Sequence, residues 1–315
     1  MNFRVFALLF LLLEVKLLAY SDCRFKFERY EQICTQATKN GVSVEYANSF
    51  LLCSKSKERD FEALRKFNPT MLKTHSKNEK IANNSLVGFL PKMREHLSRY
   101  VDVYTEAEQR YGVNREIIVA ILAKESRLGR YRLKHDSYVV LNTLLRELKA
   151  DSRRNRRVLK MAQTNLVALM QFCYQSKIRA DECSIASSYA VAVGYAQFMP
   201  QNLYLARGYN KASADLNTAE DSILSIASFL HTIASFKSKL EWSKVGDMRA
   251  IESAWYRYDF EHKNSSFAFD LGKYNCFACK RDELSYLSGY VKKIMRYNSS
   301  SNYAVGVLRL AYELR

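Results

Sequence analysis

Hydrophobic side chains recur at the three- and four-residue spacing of α-helices along most of the chain. Residues 28–53 predict two short helices separated at Asn40-Gly41, and residues 86–110 predict a longer helical stretch that Gly112 ends. Further helices are predicted over residues 138–174, 218–236 and 248–257, and from about residue 302. Only 10 glycines and 3 prolines interrupt a chain of 315 residues, which favours a mainly α-helical fold.

Three segments lack a clear helical pattern. Residues 58–84 are polar, with a turn expected at Asn68-Pro69, and residues 258–284 are predicted to be irregular. The strongly basic run DSRRNRRVLK, residues 151–160, is expected between helices. The length allows one elaborate domain or two closely associated ones.

The stretch NREIIVAILAKESRLGRY, residues 114–131, places a carboxylate on an apolar helix face. Ile118, Ile121 and Leu122 fall on one stripe at helical spacing with Leu128, and Glu125 falls on the same stripe. An ionised carboxylate in an apolar setting is costly, so it is either paired or has a raised pKa. A carboxyl group with a raised pKa holds a proton near neutral pH and can act as a general acid. The alternative is an ordinary solvated helix glutamate.

The ends of that helix are marked by Asn114 as the N-cap and by Gly129, which is expected to terminate it about one turn after Glu125. Glu125 is therefore expected near a helix end and a following loop, where a cleft can open. No Asp or Glu lies three or four residues from Glu125. A two-carboxylate glycosidase would need its second acid from elsewhere in the fold, and the sequence leaves that possibility open.

The first residues predict an export signal. Arg4 precedes the apolar run 5–13, and Ala19 and Ser21 follow in the small-x-small order of a cleavage site. The run is too short to span a bilayer, so we expect a cleaved signal peptide over residues 1–21. A lipid-modified Cys23 is the alternative, although the residues before it are poor for lipoprotein processing.

Seven cysteines fit an exported protein better than a cytosolic one. We expect disulfides between Cys173 and Cys183 and between Cys276 and Cys279. One thiol should then stay free among Cys23, Cys34 and Cys53. A zinc site usually shows two close cysteine pairs, and a redox CxxC would need a βαβ context, so disulfides are the better interpretation.

The formal net charge is +17, with Lys and Arg spread over the chain. Such a field favours polyanions: nucleic acid, an anionic membrane surface or an acidic cell-wall polymer. Export argues against nucleic acid as a physiological target. A generally basic protein without any such partner is the alternative.

Three longer blocks can then be considered together: YGVNREIIVAILAKESRLGRY, SSYAVAVGYAQFMP and RYNSSSNYAVGVLRLAYEL. In this order and spacing they resemble the MltB family of lytic murein transglycosylases, and GVSVEYANSFL and FLPKMREHLSRYVDVYTEAEQRYGV extend the match. The resemblance implies a mainly α fold with a lysozyme-like catalytic core and a small irregular insertion near the carboxyl end. It divides the chain into a signal peptide (1–21), a helical amino-terminal region packed on the core (22–105) and the catalytic region (106–315).

The resemblance also assigns site residues. Glu125 in ESRLGRY matches the family's catalytic glutamate, as general acid and then base. Residues expected to bind substrate are Ser188, Tyr195, Gln197, Phe229, Tyr297, Asn298 and Tyr303. Phe229 falls where the family usually has tyrosine, so a stacking face is kept and a hydroxyl is lost. Taken singly, the polar members would be interpreted as loop or cap residues and the aromatic ones as core residues.

The implied activity is cleavage of the MurNAc–GlcNAc β-1,4 bond of peptidoglycan to form 1,6-anhydro-MurNAc ends. The alternatives are a lysozyme-type hydrolase and a non-catalytic cell-wall-binding scaffold. The expected partners are glycan strands and no nucleic acid, with association with cell-wall synthesis or membrane-surface complexes left open, for a periplasmic monomer. We expect no cofactor and no metal, because the calcium loop of several family members is replaced here by LARGYNKASADLNTAED, with only Asp215 and Asp221 as plausible oxygen ligands.

Overall fold

The computed structural model of the protein describes residues 22–67, 75–261 and 280–315. The predicted signal peptide and the predicted Cys276–Cys279 bridge lie outside these residues, as does most of segment 258–284. Within the described ranges the chain is mostly α-helical, which confirms the predicted fold class. No helix of these ranges is long and apolar enough to cross a membrane.

The chain forms two compact units from interleaved segments. Among the described residues, the first unit contains 22–67, 133–193 and 198–204, and the second contains 75–132, 194–197, 205–261 and 280–315. The functional division of the sequence at residue 105 stays a prediction.

The described part of the first unit contains helices and one small sheet. Its helices are α1 (Glu28–Lys39), α2 (Val44–Leu51), α3 (Phe61–Lys66), α8 (Ser137–Glu147) and α9 (Arg153–Gln175), with a 3₁₀ turn at Ser54–Lys57. The antiparallel strands β1 (His135–Asp136) and β2 (Ala186–Ser187) pair His135 with Ser187 and Asp136 with Ala186. A second 3₁₀ turn, Pro200–Leu205, begins in this unit.

Local signals explain the predicted break between α1 and α2. Gly41 has a φ of +89°, a left-handed conformation that glycine adopts without strain. Ser43 then caps α2, because its hydroxyl accepts a hydrogen bond of 3.2 Å from the Tyr46 amide. The predicted pair of short helices is confirmed.

Two disulfides lie in the first unit. Cys173–Cys183 confirms the predicted pair, and Cys23–Cys34 joins two of the three amino-terminal cysteines. Cys53 is free and buried, so one thiol of that group stays unpaired as expected.

The second unit surrounds one central helix. Its described helices are α4 (His75–Val87), α5 (Leu90–Arg99), α6 (Val101–Tyr111), α7 (Arg115–Ser126), α10 (Ala219–Thr232), α11 (Met248–Glu261), α12 (Arg281–Ile294) and α13 (Ser301–Tyr312), with a 3₁₀ turn at Trp242–Lys244. Helix α7 packs against α4, α5, α6, α10 and α13. Its residues 117–123 are all fully buried, so this stretch of α7 is apolar all round rather than on one stripe, as is typical of a helix inside a large domain.

Several predicted boundaries are wrong. Much of segment 58–84 is helical, in α3 and α4, and the single stretch predicted over 86–110 is divided between α4, α5 and α6. Pro91 explains one break, because it occupies the first turn of α5, where its missing N–H costs nothing.

The basic run 151–160 is also helical rather than a connection. Ser152 caps α9 by accepting a hydrogen bond from the Asn155 amide, so the arginines that follow occupy its first turns. Residues 258–261 end α11 and residues 281–284 begin α12, so the ends of the segment predicted to be irregular are helical.

Candidate active site

The carboxyl end of α7 sets the position of Glu125. The helix ends at Ser126, three residues before the predicted end, and Arg127, Leu128 and Gly129 follow with φ values of 50°, 60° and 82°. The Ser126 hydroxyl accepts a hydrogen bond of 2.9 Å from the Gly129 amide and so fixes this left-handed turn. Glu125 therefore lies in the last turn of a buried helix, directly before a sharp loop.

Gly129 allows that loop to approach Tyr195. A Cβ atom at position 129 would lie 2.4 Å from Cε2 of the Tyr195 ring, so a larger residue would displace the tyrosine. Both Tyr195 and the residues flanking Gly129, Leu128 and Arg130, line a cavity of about 380 Å³ in the second unit. The structure thus places one predicted substrate-binding residue at an open space beside the end of α7.

Glu125 is a partly buried carboxylate that contacts a tyrosine. The Tyr303 hydroxyl donates a hydrogen bond of 2.6 Å to Oε1 of Glu125. Burial raises the pKa of Glu125 from 4.5 to about 7, while the Tyr303 hydrogen bond and the charge of Lys124 lower it less strongly. A carboxyl group with a pKa near 7 is protonated in about half of the molecules at neutral pH, and it can donate and accept protons.

Tyr297 lies beside the same carboxylate and is fixed by two contacts. Its hydroxyl donates a hydrogen bond of 2.5 Å to the Ala196 carbonyl, and its ring packs against Phe229 with centroids 4.9 Å apart. Burial, with the nearby Glu125 charge, raises the pKa of Tyr297 and Tyr303 well above 10, so both hydroxyls stay protonated. Phe229 is only 4% exposed, and a stacking role for it stays a prediction.

Gln197 lies in a tight turn with Tyr195. The Gln197 backbone has a φ of 50°, and its side-chain Nε2 donates a hydrogen bond of 2.7 Å to the Gly194 carbonyl. The Tyr195 amide donates to the Leu216 carbonyl at 2.7 Å. Because Ala196 lies between them and accepts from Tyr297, this turn is tied to the tyrosine next to Glu125.

Two predicted residues make local contacts. Ser188 belongs to the first unit, where its hydroxyl accepts a hydrogen bond of 3.1 Å from the Ala192 amide. Asn298 belongs to the second unit, and its Oδ1 accepts a hydrogen bond of 3.1 Å from the Ser300 amide. Roles of either side chain in substrate binding stay predictions.

Two charged residues that were not predicted, Lys124 and Glu79, influence Glu125. Lys124 is almost fully buried, and its ammonium lies 3.6 Å from the Glu79 carboxylate. A signal was present, because Lys124 falls seven residues after Ile117 on an apolar face of α7. Glu79 had no such signal, because it lies in a polar segment whose helix was not predicted.

The loop after the QFMP block is stabilised by hydrogen bonds and an ion pair to the Asp221 carboxylate. Asp221 is 1% exposed, and it accepts hydrogen bonds from the amides of Tyr209 and Asp215. Lys211 adds an ion pair of 2.8 Å to the same carboxylate. Among the described residues, no group of three or more His, Cys, Asp or Glu side chains is arranged to hold a metal ion.

Comparisons with known proteins bear on the identity of this site. The family model described as the Transglycosylase SLT domain matches residues 26–312. No curated protein sequence matches the chain.

Solved structures that resemble the chain include lytic transglycosylases. SltB3 from Pseudomonas aeruginosa, solved in complex with NAG-anhNAM-pentapeptide, is 18% identical and superimposes with a TM-score of 0.61 over 91% of this chain and 79% of its own. Slt35 from Escherichia coli, in complex with bulgecin A, is 18% identical with a TM-score of 0.58 over 92% and 93% of the two chains. SltB1 from Pseudomonas aeruginosa is 19% identical with a TM-score of 0.57 over 90% and 97%.

The structural likeness concerns the fold, whereas the family model spans nearly the whole described chain. Together with the buried carboxyl group at the end of α7, this match agrees with the resemblance to MltB-type enzymes in the sequence. The chain therefore belongs to the Transglycosylase SLT domain family and is a peptidoglycan lytic transglycosylase.

Proposed function

We propose that Glu125 is the single catalytic acid and base for cleavage of the MurNAc–GlcNAc β-1,4 bond. The observation that carries this proposal is the contact of Glu125 with Tyr303 in a buried setting, where burial raises the carboxyl pKa to about 7. A group of this kind can donate a proton and then accept one within a single turnover.

The proposed reaction has two stages. Protonated Glu125 donates its proton to the glycosidic oxygen, the bond from that oxygen to C1 of MurNAc breaks, and positive charge develops at C1. The Glu125 carboxylate then takes the proton of the MurNAc C6 hydroxyl while the C6 oxygen forms its bond to C1. The products are a GlcNAc hydroxyl and a 1,6-anhydro-MurNAc end, and no water is consumed.

The proposal needs no second catalytic carboxylate. Glu79 lies near enough to influence the Glu125 pKa, but it is paired with the Lys124 ammonium. A paired carboxylate is a poor nucleophile, and the attacking oxygen is supplied by the sugar itself. This supports a transglycosylase over a lysozyme-type hydrolase that uses two carboxylates.

The remaining residues are proposed to hold the glycan. Tyr195 lines the cavity beside the end of α7, and an aromatic ring with a polar tip suits a sugar face. Ser188, Gln197, Asn298 and the aromatic residues Phe229, Tyr297 and Tyr303 complete the proposed set. Tyr303 would also orient the Glu125 carboxyl group through its hydrogen bond.

The proposal extends to the setting of the enzyme. We infer a periplasmic protein exported by a cleaved signal over residues 1–21, with glycan strands as its substrate and residues 106–315 as its catalytic region. The two disulfides support this compartment, because disulfides persist in oxidising environments.

Mass spectrometry of digested murein tests the reaction. We expect anhydro ends from the unmodified protein, no release by Glu125→Gln, and unchanged sedimentation of that variant with murein. Glu116→Gln is the matched control, because Glu116 is on the same helix and burial also raises its pKa, but it lies in the first turn. Product ends that carry one additional water would establish a hydrolase instead, and release of nothing from sacculi would establish a binding protein.

A further inference from the structure

We propose that Lys124 and Glu79 are positioning residues that set the charge environment of Glu125 from inside the protein. The inference rests on the proposed function, because it assumes that Glu125 is the catalytic group. Neither residue is exposed enough to touch a glycan. They would act through the electric field at Glu125 and through the ring of Tyr303.

The Lys124 ammonium lies over the ring of Tyr303, the residue whose hydroxyl contacts Glu125. Its side chain is 4% exposed, and Nζ lies 4.7 Å from the centroid of the Tyr303 ring. The hydroxyl of that ring donates to Glu125. A cation over the face of a tyrosine is attracted by the ring. Lys124 therefore helps to fix the position of the Tyr303 ring, and the Tyr303 hydroxyl fixes the Glu125 carboxyl group.

A buried polar network fixes the lysine. Its ammonium donates to Oδ1 of Asn83 and pairs with Glu79, whose side chain is 13% exposed. Nδ2 of Asn83 is bonded at 2.9 Å to the Asn302 carbonyl and also contacts the Tyr256 hydroxyl. Since Asn83 is 2% exposed and bonded on both sides, Lys124 has one well-defined position.

Stability alone does not account for this pair. Burying two charges costs desolvation energy that their attraction seldom exceeds, and apolar residues of similar volume are often equally stabilising. Position 124 directly follows the fully buried apolar run 117–123 of α7, and a leucine or methionine there would pack without that cost. A role in the neighbouring site explains why charges occupy these two positions.

The charges of Lys124 and Glu79 have opposite effects on the pKa of Glu125. The Lys124 ammonium favours the ionised carboxylate and lowers its pKa, while Glu79 disfavours that form and raises it. Within the described parts of the chain, the hydroxyls of Tyr297 and Tyr303 also face Glu125, and both stay neutral. Glu252 acts on Lys124 from α11. The balance of the pair therefore sets how far burial can raise the Glu125 pKa.

A titration of three variants tests the inference. The probe is ¹³C-labelled glutamate in the folded protein, with the Glu125 signal assigned by its loss in Glu125→Gln. We expect Lys124→Met to raise the Glu125 midpoint and Glu79→Gln to lower it, each by at least a factor of about three in proton affinity. The midpoint of the double variant should lie between those of the two single variants, because the opposite contributions of both charges are then absent.

The basic limb of kcat/KM on soluble glycan fragments should follow the same order. It should move to higher pH in Lys124→Met and to lower pH in Glu79→Gln, which a merely structural role would not produce. If Lys124→Met does not fold, Glu79→Gln carries the test, because Lys124 keeps Asn83 as a partner there.

The two proposals fail in different ways. Equal shifts, or no shift, of the Glu125 midpoint in the single variants would overturn the role of the pair whatever the enzyme releases. Opposite shifts in a protein that forms no anhydro ends would support the pair and overturn the proposed reaction.

Discussion

Burial of Glu125 raises its pKa to about 7 in the folded protein, against 4.5 as its ordinary value. Between these two pH values the folded state holds a proton that the unfolded state has released. The free energy of unfolding therefore falls as pH rises from about 4.5 to about 7. At neutral and alkaline pH the folded protein loses this proton, and the ionised carboxylate then destabilises the fold because it is poorly solvated.

We predict that Glu125→Gln stabilises the protein at pH 8 by about 1 to 3 kcal/mol and changes its stability little at pH 4. The amide cannot ionise, so it avoids the cost of a buried carboxylate. Urea unfolding of the variant and the unmodified protein at both pH values measures the difference, in which the other titrating groups cancel. The same difference at both pH values would contradict this account.

At the residue scale, the sequence predicted that Glu125 is either paired or has a raised pKa, and in the structure burial raises its pKa. Glu125 is adjacent to two other predicted residues, Tyr297 and Tyr303. The predicted single apolar stripe was wrong in extent, because residues 117–123 of α7 are buried on all sides. Lys124 lay on an apolar face of α7 and was overlooked, whereas Glu79 had no such signal. Their pairing depends on how α4 packs on α7, and a non-local contact of this kind has no signature in the periodicity of either helix.

At the scale of elements, α4 can pack closely against α13 because position 306 is a glycine without a side chain. A Cβ atom at Gly306 would lie 2.3 Å from the side-chain amide of Asn83. Asn83 in turn bonds Lys124 and the Asn302 carbonyl. The contact between these helices is therefore part of the structure behind the active site.

We predict that Gly306→Ala destabilises the protein by about 1 to 3 kcal/mol, because overpacking displaces Asn83 from a filled site. Urea unfolding at constant pH measures the change. Gly289→Ala is the matched control, because Gly289 is a helical glycine of α12 with no atom within 4 Å of the added Cβ. That control should gain about 0.5 to 1 kcal/mol from helix propensity, and equal effects at both positions would argue against the close contact.

Helix boundaries show which element-level signals were sufficient. Asn40-Gly41 marked a break that the structure confirms, because the left-handed turn at Gly41 is a local feature. The turn after α7 was placed three residues late, since Arg127 and Leu128 adopt left-handed conformations that their residue types do not favour. Hydrogen bonds to Ser126 and tertiary packing impose that turn, and neither was visible in the sequence.

At the scale of the whole molecule, the net charge of +17 should draw the protein to anionic murein. Attraction between exposed charges is screened over about 8 Å at physiological ionic strength. We predict that added salt lowers activity on intact sacculi much more than activity on short neutral glycan fragments. Turnover measured on both substrates over a salt series checks this, and equal sensitivity would exclude a role for charge in capture.

The basic start of α9 is the expected contributor. Arg153, Arg156 and Arg157 are exposed there, whereas Arg154 is partly buried and donates to the Phe67 carbonyl. Replacing the three exposed arginines with glutamine should flatten the salt dependence without unfolding the helix. A control with the same change in net charge replaces Lys39, Lys57 and Lys177 with glutamine; these lysines are exposed and separated in sequence. This control should reduce the salt dependence of activity less than the arginine variant does.

Both disulfides that the structure describes join cysteines that follow one another along the chain. Cys34 is the next cysteine after Cys23, and Cys183 is the next after Cys173. A chain delivered amino-terminus first into an oxidising compartment would pair each of these cysteines with the next one to arrive. The order of arrival then produces the native bonds, so an oxidase is sufficient and no shuffling enzyme is required. Export of the chain in cells that lack a disulfide isomerase should accordingly give the same yield of correctly bonded protein as export in cells that have one.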